Sequence, residues 1–223
     1  MQSLIQDLLT FSHVANLAPF VSVDLAVVTR EVLSDLEVQM SETGAIVDVG
    51  DLPTIQADPL QMRQLLQNLI GNALKFHKKG IPPTIRVRTE EVQALEGAER
   101  LLRLLVEDDG IGFDEKYLDR IFTVFQRLHG RTEYQGNGVG LAICRKIAQR
   151  HGGRITATSA PDHGAVFAVE LPRTHTPGDT GNFDTQRFEG HWSHKEFEST
   201  PGSLSIGANP EETSEMPVMK SIG

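Results

Sequence analysis

The stretch from Pro59 to His77 constrains this chain most. Its residues carry a helical period in which Leu66, Ile70 and Ala73 share one side of the wheel. With Asn68 set at zero and about 100° per residue, Asn72 falls near ~40° and Lys75 near ~−20°, with Gln61 and Gln64 on the same side. Such a helix buries one stripe and holds out a row of amides and an ammonium. A solvated polar face is the ordinary reading of that row. The pairing gives it a chemical one: a carboxamide oxygen is a hard ligand suited to Mg²⁺, and an ammonium one turn on neutralises phosphate.

The pattern around this helix is mixed. Leu25–Met40 and Val139–His151 read as further helices, the second closed by Gly152-Gly153. Ala45–Val49 and Thr54–Ala57 read as short strands on either side of Pro53. Thr84–Val92 and Leu101–Glu107 read as strands joined by the loop Gln93–Arg100, and Arg154–Ser159 with Ala165–Leu171 as a hairpin around Asp162-His163-Gly164. Adjacent strand pairs among helices predict an α+β two-layer sandwich, a mixed sheet packed on helices, in place of a βαβ repeat. The apolar fraction of 39% supports a packed core.

Two flanking zones differ. Leu4, Ile5, Leu8, Leu9 and Phe11 recur at helical spacing, so Met1–Val14 reads as a short helix that needs a partner surface. Thr174–Gly223 is rich in Thr, Ser, Gly, Pro and Glu, and three Lys/Arg against eight Asp/Glu give it a net charge of −5. It reads as a disordered acidic tail. The expected division is therefore 1–18, 19–173 and 174–223. The net charge of −9 argues against general nucleic-acid binding. The single cysteine, Cys144, rules out an intrachain disulfide and fits a reducing compartment. No apolar run approaches the roughly 20 residues needed to span a bilayer.

Two further motifs carry chemistry. Asp108-Asp109-Gly110-Ile111-Gly112-Phe113 follows an apolar strand. Its glycines permit a tight turn and close backbone approach, and a carboxylate at a strand end can accept hydrogen bonds from an exocyclic amine such as that of adenine. Gly136-Asn137-Gly138-Val139-Gly140-Leu141 opens a helix and offers free N–H groups at its positive end to phosphate. A Walker A lysine and a preceding Rossmann strand are both absent. Between the motifs, Phe122 and Phe125 read as a hydrophobic anchor preceding Arg127, and Gly130–Asn137 as a lid.

In order and spacing, Asn68-Leu-Ile-Gly-Asn72-Ala-Leu-Lys75-Phe, Asp108-Asp-Gly110-Ile-Gly112-Phe, Phe122-Thr-Val-Phe125 and Gly136-Asn-Gly138-Val-Gly140-Leu141 resemble the asparagine, first glycine, phenylalanine and second glycine boxes of sensor histidine kinases. The likeness covers about Val23–Pro172 and implies a Bergerat-type ATP-binding fold. It implies Asn72 as the Mg²⁺ ligand with Asn68 beside it, Lys75 on phosphate, Asp108 on adenine, and Gly136, Gly138 and Gly140 around the triphosphate. Gly110, Gly112, Phe122, Phe125, Arg127 and Leu141 complete the implied ATP site.

Gln2–Ser12 resembles the end of the second helix of a dimerisation and phosphoacceptor hairpin. The helix bearing the phosphoacceptor histidine is missing, and none of the histidines present has an acceptor setting. The implied partners are that hairpin, in a parent kinase that dimerises, and the receiver domain of a response regulator. The implied location is cytoplasmic, with a parent protein that is soluble or membrane-anchored. ATPases on the same fold, including DNA gyrase and heat-shock chaperones, resemble one another in placing a general-base glutamate four residues before the Mg²⁺ asparagine. Here that position is Asn68, and an amide takes no proton from water. The expectation is phosphoryl donation to a histidine. The rivals are a serine kinase of the anti-sigma type and a degenerate nucleotide-binding or docking module.

Overall fold

The computed structural model describes residues 19–92, 101–126 and 137–175. The expected N-terminal helix, Arg127, Gly136 and the acidic tail beyond residue 175 lie outside these residues. Strand β1 (Val21–Asp24) leads into helices α1 (Leu25–Asp35) and α2 (Glu37–Thr43). Strands β2 (Ile46–Val49) and β3 (Thr54–Ala57), helix α3 (Pro59–Lys75), and strands β4 (Thr84–Val92) and β5 (Leu101–Asp108) follow. A 3-10 turn at Glu115–Tyr117 runs into the short helix α4 (Leu118–Ile121); helix α5 (Gly140–Arg150) and strands β6 (Arg154–Ser159) and β7 (Ala165–Pro172) complete the order.

Five strands form one sheet in the order β2-β4-β5-β7-β6, with β2 parallel to β4 and the other neighbours antiparallel. Strands β1 and β3 pair separately and antiparallel. The expected α+β two-layer sandwich is the observed architecture. Alternation on β5 explains the layering. Leu102, Leu104 and Val106 point into the core with Ile85 and Val87 of β4 and Phe167, Val169 and Leu171 of β7. Against them pack Leu65, Leu66, Leu69 and Ile70 of α3 and Ile143, Ile147 and Ala148 of α5.

The outer face of the sheet is a charged lattice. Glu170, 3% exposed, accepts from Arg103 and Arg154, and Arg88 Nε donates to Glu107 at 2.8 Å. Beneath it Leu105 and Ala168 sit opposite each other in register, both buried. The aliphatic stems of long charged residues can cover apolar surface while their heads stay paired in water.

Three features of local structure depart from the sequence pattern. The helix read over Leu25–Met40 is two helices, because Leu36 leaves helical geometry at φ −94° and ψ 4°. Strand β1 carries no strand signal of its own; Val23 alone among its residues is buried, so it presents no apolar run, and pairing with β3 makes it a strand. Gln61 belongs to the polar stripe of the wheel and is nevertheless buried, on a helix packed against both α1 and α5.

Helix boundaries follow local chemistry. Asp24 caps α1 by accepting from the N–H groups of Ala26 and Val27, and Asp58 caps α3 by accepting from Leu60 and Gln61, with Pro59 in the first turn. No helix of the described residues is long and apolar enough to cross a membrane.

Candidate nucleotide site

The C-terminal end of α3, the C-terminal end of β5, the N-terminal end of α5 and the β6–β7 turn meet at one end of the sandwich. The meeting is held by backbone. Ile111 N–H donates to the carbonyl of Phe76, the residue that caps α3, at 2.9 Å. Asp162 N–H donates to the Ile111 carbonyl at 2.7 Å. Phe113 N–H donates to Ser159 Oγ at 2.8 Å, and that hydroxyl donates to the Gly164 carbonyl at 2.6 Å. The Asp108–Phe113 loop is thereby clamped between helix and hairpin.

Both glycines of the loop are required in this clamp. At Gly110 a β-carbon would stand 2.5 Å from the Phe76 carbonyl oxygen and 2.8 Å from Asp108 Oδ1. Gly112 has φ +59°, and a β-carbon there would overlap the carbonyl oxygen of Ala160. The sequence reading of these glycines is close backbone approach to a ligand; what the structure shows is backbone against backbone, which brings the hairpin onto the loop.

Asp108 ends β5, opposite Ile85 on one side and Ala165 on the other. Its Oδ1 accepts from Gly110 N–H at 2.9 Å. Burial raises its carboxyl to about 6, held back by backbone hydrogen bonds from Gly110 and Ala165. Lys78 also pulls it down and Asp109 pushes it up, both more weakly. The neighbouring Asp109 is exposed and spends Oδ1 on Thr84 N–H at 2.9 Å, so the two adjacent carboxylates have different work.

On α3, Asn68 and Asn72 are half-buried, one turn apart. Asn68 Oδ1 lies 3.1 Å from the place a β-carbon on Gly140 would take, so α5 starts directly against it. The Nδ2 of Asn68 is buried, beside Cys144. One turn into α5, Cys144 is fully buried, and desolvation pushes its thiol up to about 12, with Asn68 beside it holding it back. Lys75 Nζ stands 4.5 Å above the ring of Phe76. His77 makes a 2.7 Å contact from Nδ1 to the Leu74 carbonyl, so it packs on the helix it follows.

Phe125 and Gly138 join the two remaining motifs: Phe125 N–H donates to the Gly138 carbonyl at 2.9 Å. Gly138 takes φ +68°. The expected two-phenylalanine anchor is half right. Phe122 packs against the core, but Phe125 is 54% exposed with φ 64°, a left-handed backbone that turns its ring outward. Val139 is buried and seats the loop, while Leu141 packs at the core edge. The supporting groups Ser159, Gly164 and the Phe76 carbonyl escape sequence reasoning. A hydroxyl 46 residues from its partner carries no local signal in the sequence.

A sequence profile described as histidine kinase-, DNA gyrase B- and HSP90-like ATPase matches residues 57–175. Among curated proteins, the phytochrome-like protein Cph1 of Synechocystis is 39% identical over 173 residues. That match covers 77% of this chain and 22% of Cph1. The adaptive-response sensory kinase SasA of Prochlorococcus marinus is 35% identical over 153 residues, 67% of this chain and 38% of that protein. The chain therefore spans about a fifth to two fifths of these relatives. Among solved structures, the catalytic domain of histidine kinase ThkA aligns with TM-score 0.57 and 26% identity, covering 71% of this chain and all of that one. Full-length ShkA in complex with AMPPNP aligns with TM-score 0.63 and 28% identity, covering 79% of this chain and 36% of that one. With more than half of its residues inside the profile and histidine kinase catalytic domains as its structural likenesses, the chain belongs to the family of histidine kinase-, DNA gyrase B- and HSP90-like ATPases.

Proposed function

We propose that this domain binds Mg²⁺-ATP and donates its γ-phosphoryl to a histidine that this chain does not supply, for relay to the receiver domain of a response regulator. The observation that carries the reading is Asn68. It occupies the position where a hydrolase of this family would place its base, and it abuts Gly140 at the head of α5. Helix α3 contains no acidic residue at all, so it offers water no general base. A site that neutralises phosphate without activating water holds the phosphoryl group for another nucleophile.

In this reading Asp108 accepts from the adenine amine. The turn that supports it, built on Gly110 and Gly112, leaves no side chain between carboxyl and ligand. Lys75, Gly138, Gly140 and the opening N–H groups of α5 face the phosphates, with Gly136 and Arg127 in the intervening segment. Asn72 offers its carboxamide oxygen to Mg²⁺, with Asn68 adjacent. The donor type fits that ion, since a carboxamide oxygen is a hard ligand. Mg²⁺ commonly keeps several waters and is held by one or two protein oxygens plus phosphate. The ion would neutralise charge on the β- and γ-oxygens. In the transfer, the bond from the β–γ bridging oxygen to phosphorus breaks and a phosphorus–nitrogen bond to the acceptor imidazole forms, with ADP leaving.

Residues 1–18 then end the acceptor hairpin's second helix, residues 19–173 form the catalytic unit, and the parent kinase works as a cytoplasmic or membrane-anchored dimer. The solved complex of ThkA with a response regulator supports the choice of partner. The test mixes the protein, γ-labelled ATP and Mg²⁺ with a separately made hairpin bearing the histidine. Acid-labile, base-stable label on the hairpin is the expected result. Label on serine would support the anti-sigma type of kinase instead. Tight ATP binding without transfer would support a degenerate binding module.

A further inference from the structure

At the end of the sandwich opposite the nucleotide site lies a buried polar cluster that no step above uses. Asp58, Arg150 and His151 are 5%, 8% and 1% exposed. Arg150 Nη1 donates to Asp58 Oδ2 at 2.9 Å. Asp58 N–H donates to His151 Nε2 at 3.1 Å, and His151 Nδ1 lies 2.8 Å from the Ile147 carbonyl. These contacts assign one tautomer. Nδ1 carries the proton and donates within α5, while Nε2 is bare and accepts from the residue that caps α3. Desolvation holds the imidazole down to about 4, so the ring is neutral. The charged or titratable groups bearing on it are Arg150 of α5, Asp58 before α3 and His175 beyond β7.

The cluster also includes Phe20. The ring of Phe20, just before β1, stacks on His151 with centroids 4.6 Å apart, lies 4.3 Å from the His175 ring, and sits 5.5 Å from the Arg150 guanidinium.

We propose that His151, locked by Phe20, is a positioning residue for the nucleotide site, acting through the two helices it joins. Its bond to Asp58 fixes the start of α3 to the end of α5. The same helices meet again at Asn68 and Gly140, about 15 Å further along α3 at 1.5 Å per residue. Apolar packing joins the two helices between these points; the polar pin fixes one end of the pair, and releasing it lets that end shift against the packing. The shift would alter the spacing of Asn68, Asn72 and the opening turn of α5. Removing the acceptor would leave the buried Asp58 N–H unsatisfied, which costs its desolvation.

The inference rests on the nucleotide reading above, and the experiment separates the two. Mg²⁺-ATP affinity is measured by calorimetry well below the melting temperature for wild type, His151→Leu, His151→Gln and Val32→Ala. Val32 is a fully buried residue of α1, outside the site, and serves as a stability control. His151→Leu is expected to weaken binding at least fivefold. His151→Gln, whose carbonyl can accept from Asp58 N–H, is expected to recover most of the loss. Val32→Ala is expected to lower the melting temperature without changing affinity. Wild-type affinity in His151→Leu, an equal loss in Val32→Ala, or no recovery in His151→Gln would overturn the proposal. Should His151→Leu not fold, Phe20→Leu takes its place with the same expectation against Val32→Ala. A wild-type protein that does not bind Mg²⁺-ATP would instead remove the nucleotide reading itself.

Discussion

Asn68 and Gly140 meet across the interface of α3 and α5, with Asn68 Oδ1 3.1 Å from the point a β-carbon on Gly140 would occupy. A β-carbon there would require Asn68 to give by a few tenths of an ångström, and Gly140 does not need a left-handed backbone. Gly140→Ala should therefore fold, with a melting temperature close to wild type, because alanine also favours the helix. It should press on Asn68 and weaken ATP binding about tenfold, a change of roughly 1.4 kcal/mol. Paired calorimetry and thermal melts on the variant check this.

Asp108→Asn should abolish ATP binding while keeping the fold. Asparagine can still accept from Gly110 N–H, but it loses the carboxylate that accepts from adenine. The folded state raises this carboxyl from 3.8 to about 6, so ionised Asp108 costs stability at pH 7. The variant should be no less stable than wild type, and more stable by up to about 3 kcal/mol. In wild type, affinity should fall as pH drops below about 6, when the acceptor becomes protonated. Urea melts at pH 7 and a pH series of binding measurements test both halves.

Gly112→Ala should be damaging. Its φ of +59° disfavours a side chain, and a β-carbon would overlap the Ala160 carbonyl oxygen. Backbone cannot yield as a flexible side chain does, so the loop and the β6–β7 hairpin must separate. A loss of about 2–4 kcal/mol is expected from steric overlap plus backbone strain. Equilibrium unfolding measures it, and hydrogen exchange at Ile111 and Phe113 should rise with it.

His151 should make the fold acid-sensitive. Its folded value, about 4, lies below its ordinary 6.5. The stabilisation it represents is therefore complete above pH 6.5 and is lost as pH falls toward 4. Between pH 7.5 and 5 the loss is on the order of 2 kcal/mol. Asp108 acts in the opposite sense across part of this window, by about 1 kcal/mol. The quantity to read is thus the difference in pH dependence between wild type and His151→Gln, obtained from urea unfolding.

The ordered asparagine, glycine and phenylalanine motifs make the site region legible in the sequence, and the two-layer class follows from adjacent strand pairs. Local chemistry carries those readings. Asp58-Pro59 marks a helix start, Gly152-Gly153 a helix end, and the apolar run of β5 a strand with a buried face. Where tertiary context competes with local pattern, the pattern misleads. Gln61 sits on the polar side of its own helix yet is buried, on a helix packed against both α1 and α5. Val21–Asp24 has no apolar run and becomes a strand because β3 is there to pair with. Phe125 looks like a core aromatic and is turned outward by a backbone whose N–H is held by Gly138.

By itself, then, the sequence determined where the candidate site motifs lie and in which order, since side-chain type and helical period are local properties. Only the tertiary structure decided what each of their residues faces. Asn68 against Gly140, Asp108 under the Ser159–Gly164 clamp, and His151 between Asp58 and Phe20 are contacts between segments far apart in the chain. Nothing in one segment's residue types specifies its partner; the packing of both against a common core does.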